Sequence, residues 1–119
     1  MPEIAPELRL LKFAGESCSA CVAMDRAQTL EKFASKHPGV RIVKLLVNDK
    51  DGESPAGTEY EKNYKISDAY GVEVLPTLIL EVKNGGELVR FEGACSLKEL
   101  EVAFDESIVT WKASQQIPW

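Results

Sequence analysis

Apolar and polar positions along this chain switch repeatedly between two periods. Leu8-Arg9-Leu10-Leu11-Lys12-Phe13-Ala14 is a short, nearly continuous apolar run closed by Gly15, which predicts a strand covered on both faces of its sheet. From Ser17 the spacing turns helical. Cys21, Met24, Ala27, Gln28, Leu30, Glu31, Phe33 and Ala34 spread over turns of about 3.6 residues until His37-Pro38-Gly39 stops them, so one helix is expected, with Cys18 at its N-terminus. Val40, Ile42, Val43, Leu45, Leu46 and Val47 predict a second strand that ends in Asn48-Asp49-Lys50-Asp51-Gly52. A polar stretch from Lys50 to about Thr58, with Pro55 and two glycines, predicts an exposed loop, and Glu59 to Tyr70 a helix stopped by Gly71.

Leu78-Ile79-Leu80-Glu81-Val82 and Leu88-Val89-Arg90-Phe91, joined by Lys83-Asn84-Gly85-Gly86-Glu87, carry the strand and turn chemistry of a hairpin. Ser96 with Glu99 three residues later forms a capping-box pattern ahead of Leu97, Leu100, Val102, Ala103, Phe104 and Ile108, which predicts a last helix. Thr110 to Trp119 shows no clear periodicity and reads as a tail that docks on the rest of the chain. The expected fold class is α/β, in the order β-α-β-α-β-β-α, with a mixed four-stranded sheet flanked by helices.

The 119 residues, 45% of them hydrophobic, suit one domain with one core. A net charge of −5 argues against a general nucleic-acid binder or a basic membrane-surface protein, since both need a positive face. No apolar stretch approaches the roughly 20 residues that span a bilayer, and Met1-Pro2-Glu3 opens no basic and apolar leader, so a soluble cytoplasmic protein is expected, without nucleic-acid or membrane partners. Three cysteines are too few and too oddly numbered for a secreted disulfide scaffold.

The chemistry concentrates in Cys18-Ser19-Ala20-Cys21. Two thiols at this spacing, where a strand passes into a helix, can close a small disulfide reversibly. A thiol attacks a disulfide as thiolate, and the helix N-terminus favours that charge at Cys18; Cys21, one turn deeper, can attack the mixed disulfide Cys18 forms. Cys18 is the expected nucleophile and Cys21 the resolving thiol.

Other readings stand beside this one. The same thiols can be small core residues, or two ligands of a metal or cluster; zinc wants four, and only Cys95 and His37 remain as soft candidates unless a homodimer supplies four thiolates. Cys95 reads as a buried small hydrophobe, His37 as a capping or solvated residue, and Tyr60, Tyr64 and Tyr70 as packing residues with one exposed ring. Asn48 to Glu53 resembles a calcium loop but places Val47 and Thr58 at ligand positions, and calcium is rejected.

Lys12 to Cys21, Lys44-Leu45, Tyr70-Gly71-Val72-Glu73-Val74-Leu75-Pro76-Thr77-Leu78, Lys83-Asn84-Gly85 and Gly93-Ala94 together resemble the thioredoxin superfamily. The resemblance covers roughly residues 7 to 110, leaves 111–119 as a tail, and implies a single thioredoxin-like domain over 1–119. It implies a protein dithiol–disulfide oxidoreductase with Cys18 and Cys21 catalytic. By the same resemblance Pro76 is a cis-proline, and Ser17, Ser19, Ala20, Leu75, Pro76 and Gly93 border the sulfurs and receive the partner. The implied partners are protein disulfides and a thioredoxin reductase or glutathione as electron source. The chain would act as a monomer with no cofactor, because the electrons reside in the thiols. The alternative is a thioredoxin-like adaptor whose cysteines are spectators.

This chain also departs from the family. Ser17 stands where thioredoxins carry tryptophan, Ser19-Ala20 replaces their Gly-Pro pair, the family's first strand and helix are missing, and the segment after Asn48 is longer. Lys12 stands where they bury an aspartate, so either an acid from elsewhere enters or Lys12 points outward. The expectation drawn from Lys12 and the lost proline is slow resolution or a couple more oxidising than thioredoxin's, about −270 mV.

Overall fold

The computed structural model describes residues 7–83 and 86–115. Strands β1 (Leu8–Gly15), β2 (Val40–Asn48), β3 (Thr77–Val82) and β4 (Gly86–Glu92) form one sheet in the order β2-β1-β3-β4. β1 and β2 run parallel, and the crossover between them is made by helices α1 (Ser19–Arg26) and α2 (Thr29–Lys36). β3 lies antiparallel to β1 and to β4. Helix α3 (Glu59–Ala69) precedes β3, and α4 (Leu97–Gln115) follows β4. No helix among the described residues is long and apolar enough to cross a membrane.

Strand alternation sorts β1 between two cores. Leu10 packs with Leu78, Leu80, Met24, Leu30, Phe33 and Leu100 on one face of the sheet. Leu11 and Phe13 pack on the other with Val47 and Ile79, and with Ile66, Tyr70 and Val72 of the α3 side. The near-continuous apolar run of β1 is therefore that of a central strand buried on both faces.

The mixed sheet and the kinds of element agree with the sequence reading, but the expected first helix is two helices. Gln28 lies between them in the left-handed region at φ 54°, an uncommon conformation for a residue with a side chain. Phase explains the break. On one straight helix the buried pair Cys21 and Met24 and the buried trio Thr29, Leu30 and Phe33 would face directions roughly half a turn apart. Breaking the helix lets both sets meet the same sheet face, while Ala27 and Gln28 at the break are exposed.

The last helix is capped as its sequence predicts: the Glu99 N–H donates to Ser96 Oγ, and the Ser96 N–H to Glu99 Oε1, both at 3.1 Å. It continues through Gln115, so the segment read as a tail from Thr110 is helical as far as that residue, and the remainder, with Trp119, lies outside the described residues. The hairpin's Asn84-Gly85 also lies outside them. His37 does more than cap. Its ring sits 4.5 Å from that of Phe33 and 4.4 Å from that of Phe104, centroid to centroid, with Nε2 2.6 Å from Glu101 Oε2, so it fastens α2 to α4.

β2 is an edge strand, and the segment after it folds back along that edge. Asn63 Nδ2 donates to the Leu46 carbonyl at 3.0 Å, and Ser54 Oγ donates to the carbonyl of Val47, the extra residue where the β1–β2 register shifts. Asp49 Oδ1 accepts the N–H groups of Asp51 and Glu53, which gives the supposed calcium loop the structure of a self-capped turn.

Candidate active site

The site is built where β1 passes into α1. The Cys18 N–H donates to the Gly15 carbonyl at 3.3 Å, and Cys18 itself is the extended N-cap of α1. As N-cap it offers its sulfur to the helix: the Cys21 N–H donates to Cys18 Sγ at 3.1 Å. Cys18 and Cys21 are joined as a disulfide with their Cα atoms 5.2 Å apart. Cys18 is half-buried and Cys21 buried. On reduction, the same N–H and the helix N-terminus face Cys18 and favour its thiolate.

Ser17 and Ser19 are exposed, and Ala20 is half-buried. The Leu75–Pro76 peptide bond is cis, with Pro76 buried and Leu75 half-buried. Thr77, the next residue, pairs with Phe13, which sets Leu75-Pro76 at the end of the sheet where Gly15 leads into Cys18. Gly93 joins this end: its N–H donates to the Pro76 carbonyl at 2.8 Å, and its φ of 103° suits a residue without a side chain.

The longer segment also arrives here. Tyr60 Oη donates to Glu16 Oε1 at 2.7 Å, the Glu16 N–H donates to the Asn48 carbonyl at 3.2 Å, and the backbone of Gly52 runs beside Ser17 Oγ. Of the other two tyrosines, Tyr70 donates to Glu81 Oε2 at 2.9 Å and stacks obliquely on Phe13, while Tyr64 is exposed. Packing plus one exposed ring is what the tyrosine spacing predicts.

Lys12 is buried, at 2% exposure, and an acid from elsewhere does enter: Asp25 Oδ1 of α1 accepts from Lys12 Nζ at 2.6 Å. Sequence reasoning did not single out Asp25. The available signal was a lysine inside an apolar strand together with a carboxylate four residues beyond Cys21, on the same face of α1.

Cys95 lies in the core among Leu78, Leu100 and Met24. Burial, with a smaller push from Glu99, drives its thiol up to about 11, so it holds its proton at neutral pH. In the native reduced protein near neutral pH, iodoacetamide is expected to label Cys18 while leaving Cys95 unmodified, as peptide mass spectrometry would show; labelling of Cys95 at the rate found in denaturant would contradict its burial. Among the described residues no three His, Cys, Asp or Glu side chains gather as a metal site.

No family model matches the chain, and no curated protein matches it in sequence. Solved structures do match. Thioredoxin-2 of a malaria parasite, described as a component of the protein secretion machinery, superposes with a TM-score of 0.64 at 21% identity, over 87% of this chain and 86% of that one. Fasciola hepatica thioredoxin superposes with a TM-score of 0.59 at 26% identity, over 83% and 80%. Oxidised mitochondrial thioredoxin 3 of Saccharomyces cerevisiae gives 0.61 at 24% identity, over 84% and 78%.

Proposed function

We propose that this chain, a member of the thioredoxin superfamily, exchanges its Cys18–Cys21 disulfide with dithiols and disulfides of protein substrates. The observation that carries this reading is the placement of the pair: a half-buried Cys18 capping α1, bonded to a buried Cys21. In the reducing direction the Cys18 thiolate attacks a partner disulfide, forming a mixed disulfide and releasing one partner thiolate. The Cys21 thiolate then attacks Cys18 Sγ, the Cys18–Cys21 bond forms, and the second partner sulfur leaves with the electron pair. The partner has gained two electrons and this chain has lost them; a thioredoxin reductase or glutathione returns them.

Ser17, Ser19, Ala20, Leu75, Pro76 and Gly93 receive the partner in this reading. Support comes from the register that sets Leu75-Pro76 beside the end of β1 and from the Gly93 bond to Pro76. The segment from Asp49 to Tyr60 borders the same surface through Gly52 and Tyr60, and in this reading it helps to select the partner.

The test is a titration of the purified protein across glutathione ratios, with free thiols alkylated and the Cys18/Cys21 peptide weighed. A reversible two-electron transition between roughly −290 and −120 mV is expected, with a midpoint above about −270 mV. Thiols that never pair, or a disulfide that never opens, would move the reading to an adaptor; copurifying metal in stoichiometric amount would move it to a metal module.

A further inference from the structure

Helix α1 carries an exposed stripe that begins at the nucleophile. Cys18, Val22 and Arg26 follow one another at steps of four residues, about one turn each, and together with Glu16 they line one open cleft on the surface. Val22 is 37% exposed, and Arg26, the last residue of the helix, is exposed as well. The cleft therefore runs from the first sulfur along α1, over an uncovered apolar side chain, to a cation.

The charges around this cleft differ in how far they are already satisfied. Glu16 accepts from Tyr60 Oη at 2.7 Å, and Asp25, next to Arg26 in sequence, is bound by Lys12. Among the described residues Arg26 forms neither an ion pair nor a side-chain hydrogen bond. A cation in the last turn suits the helix dipole. That benefit explains a positive residue at this end, but not the uncovered valine between it and Cys18.

We infer that the stripe is a subsite for the partner chain and that Arg26 is a specificity-determining residue, selecting substrates with a carboxylate at its distance from the attacked sulfur. Eight residues of helix place Arg26 about 12 Å from Cys18 along the axis, which an extended chain spans in about three to four residues. The substrate class is a protein disulfide whose attacked cysteine stands three or four residues from an Asp or Glu, with an apolar residue between them over Val22. On the side of Ser17, Glu16 and the turn at Gly52, with Asp51 and Glu53 exposed, disfavour an acid and so set which way the partner lies. The inference rests on the oxidoreductase reading and extends it to substrate choice.

The experiment uses the reduced protein and two synthetic peptides, each with one cysteine joined to thionitrobenzoate as a mixed disulfide, identical except for Glu or Lys four residues from that cysteine. Cys18 attacks the peptide sulfur, the bond to thionitrobenzoate breaks, and the coloured thiolate leaves with the electron pair; Cys21 then attacks Cys18 Sγ and the peptide thiolate leaves. At low ionic strength the second-order rate constant is expected to be about fivefold higher for the Glu peptide. The net charge of −5 by itself favours the Lys peptide, so this preference reports a local cation. Arg26→Glu is expected to reverse the preference and Arg26→Lys to keep it. Equal rates for the two peptides, or a preference that survives Arg26→Glu, would overturn the inference. Each variant is judged by the ratio of its two rates, so a smaller folded fraction, which slows both peptides alike, does not imitate the result. Reduction of neutral 2-hydroxyethyl disulfide by the unsubstituted protein separates the two readings: where it proceeds without a peptide preference, the subsite alone fails, and where it does not proceed, the oxidoreductase reading fails and the subsite with it.

Discussion

Replacing Cys18 by serine is expected to abolish disulfide reduction, with the rate on a model protein disulfide falling by about three orders of magnitude or more, to the uncatalysed background. The substitution isolates the chemistry. Cys18 caps α1 by accepting the Cys21 N–H on its sulfur, and serine is among the favoured N-cap residues, so its hydroxyl keeps the helix start while removing the nucleophile. Cys21→Ser gives the complementary result: Cys18 still attacks, nothing resolves the product, and a mixed disulfide accumulates that intact-mass measurement shows as a partner adduct. Full activity in Cys18→Ser, or no adduct in Cys21→Ser, would show that the cysteines are spectators.

Phe33→Ala is the second large effect, and it falls on stability. Phe33 has no exposed surface, stacks on His37, and meets Phe104 edge-on with centroids 5.3 Å apart. Truncating it leaves a cavity at the junction of α2, α4 and the sheet, at an expected cost of about 3–5 kcal/mol. That is a large share of the 5–15 kcal/mol typical of a domain. The urea midpoint should fall accordingly, while Phe33→Leu, closer in volume, should cost about 1 kcal/mol. The folded fraction of Phe33→Ala should retain disulfide exchange, because Phe33 packs among core residues of the sheet and α4 and against His37, and not at Cys18.

Much of the fold was legible from local pattern. The apolar run Leu8–Ala14 announced a central strand because a strand covered on both faces has no polar side to show. Ser96 and Glu99 announced α4 because both reciprocal capping bonds are encoded within four residues. The break at Gln28 was hidden by the apolar positions themselves: there are enough of them to resemble one stripe, and only their phase shows that two helices are needed. The far end of α4 was lost because its alternation weakens after Ile108, where the helix meets less of the core. At the site, Cys18 and Cys21 were visible from spacing, and Leu75-Pro76 and Gly93 from resemblance. Asp25 was not, since its significance depends on a lysine 13 positions earlier arriving beneath the same helix turn.

The segment that folds back along β2 bears on how the protein behaves in company. An open strand offers its unpaired backbone groups to any extended chain that meets it. Asn63 and Ser54 occupy the carbonyls of Leu46 and Val47 with side chains of the same molecule. That stretch of the edge is thereby engaged within the molecule, which leaves fewer of its backbone groups for another chain to add a strand.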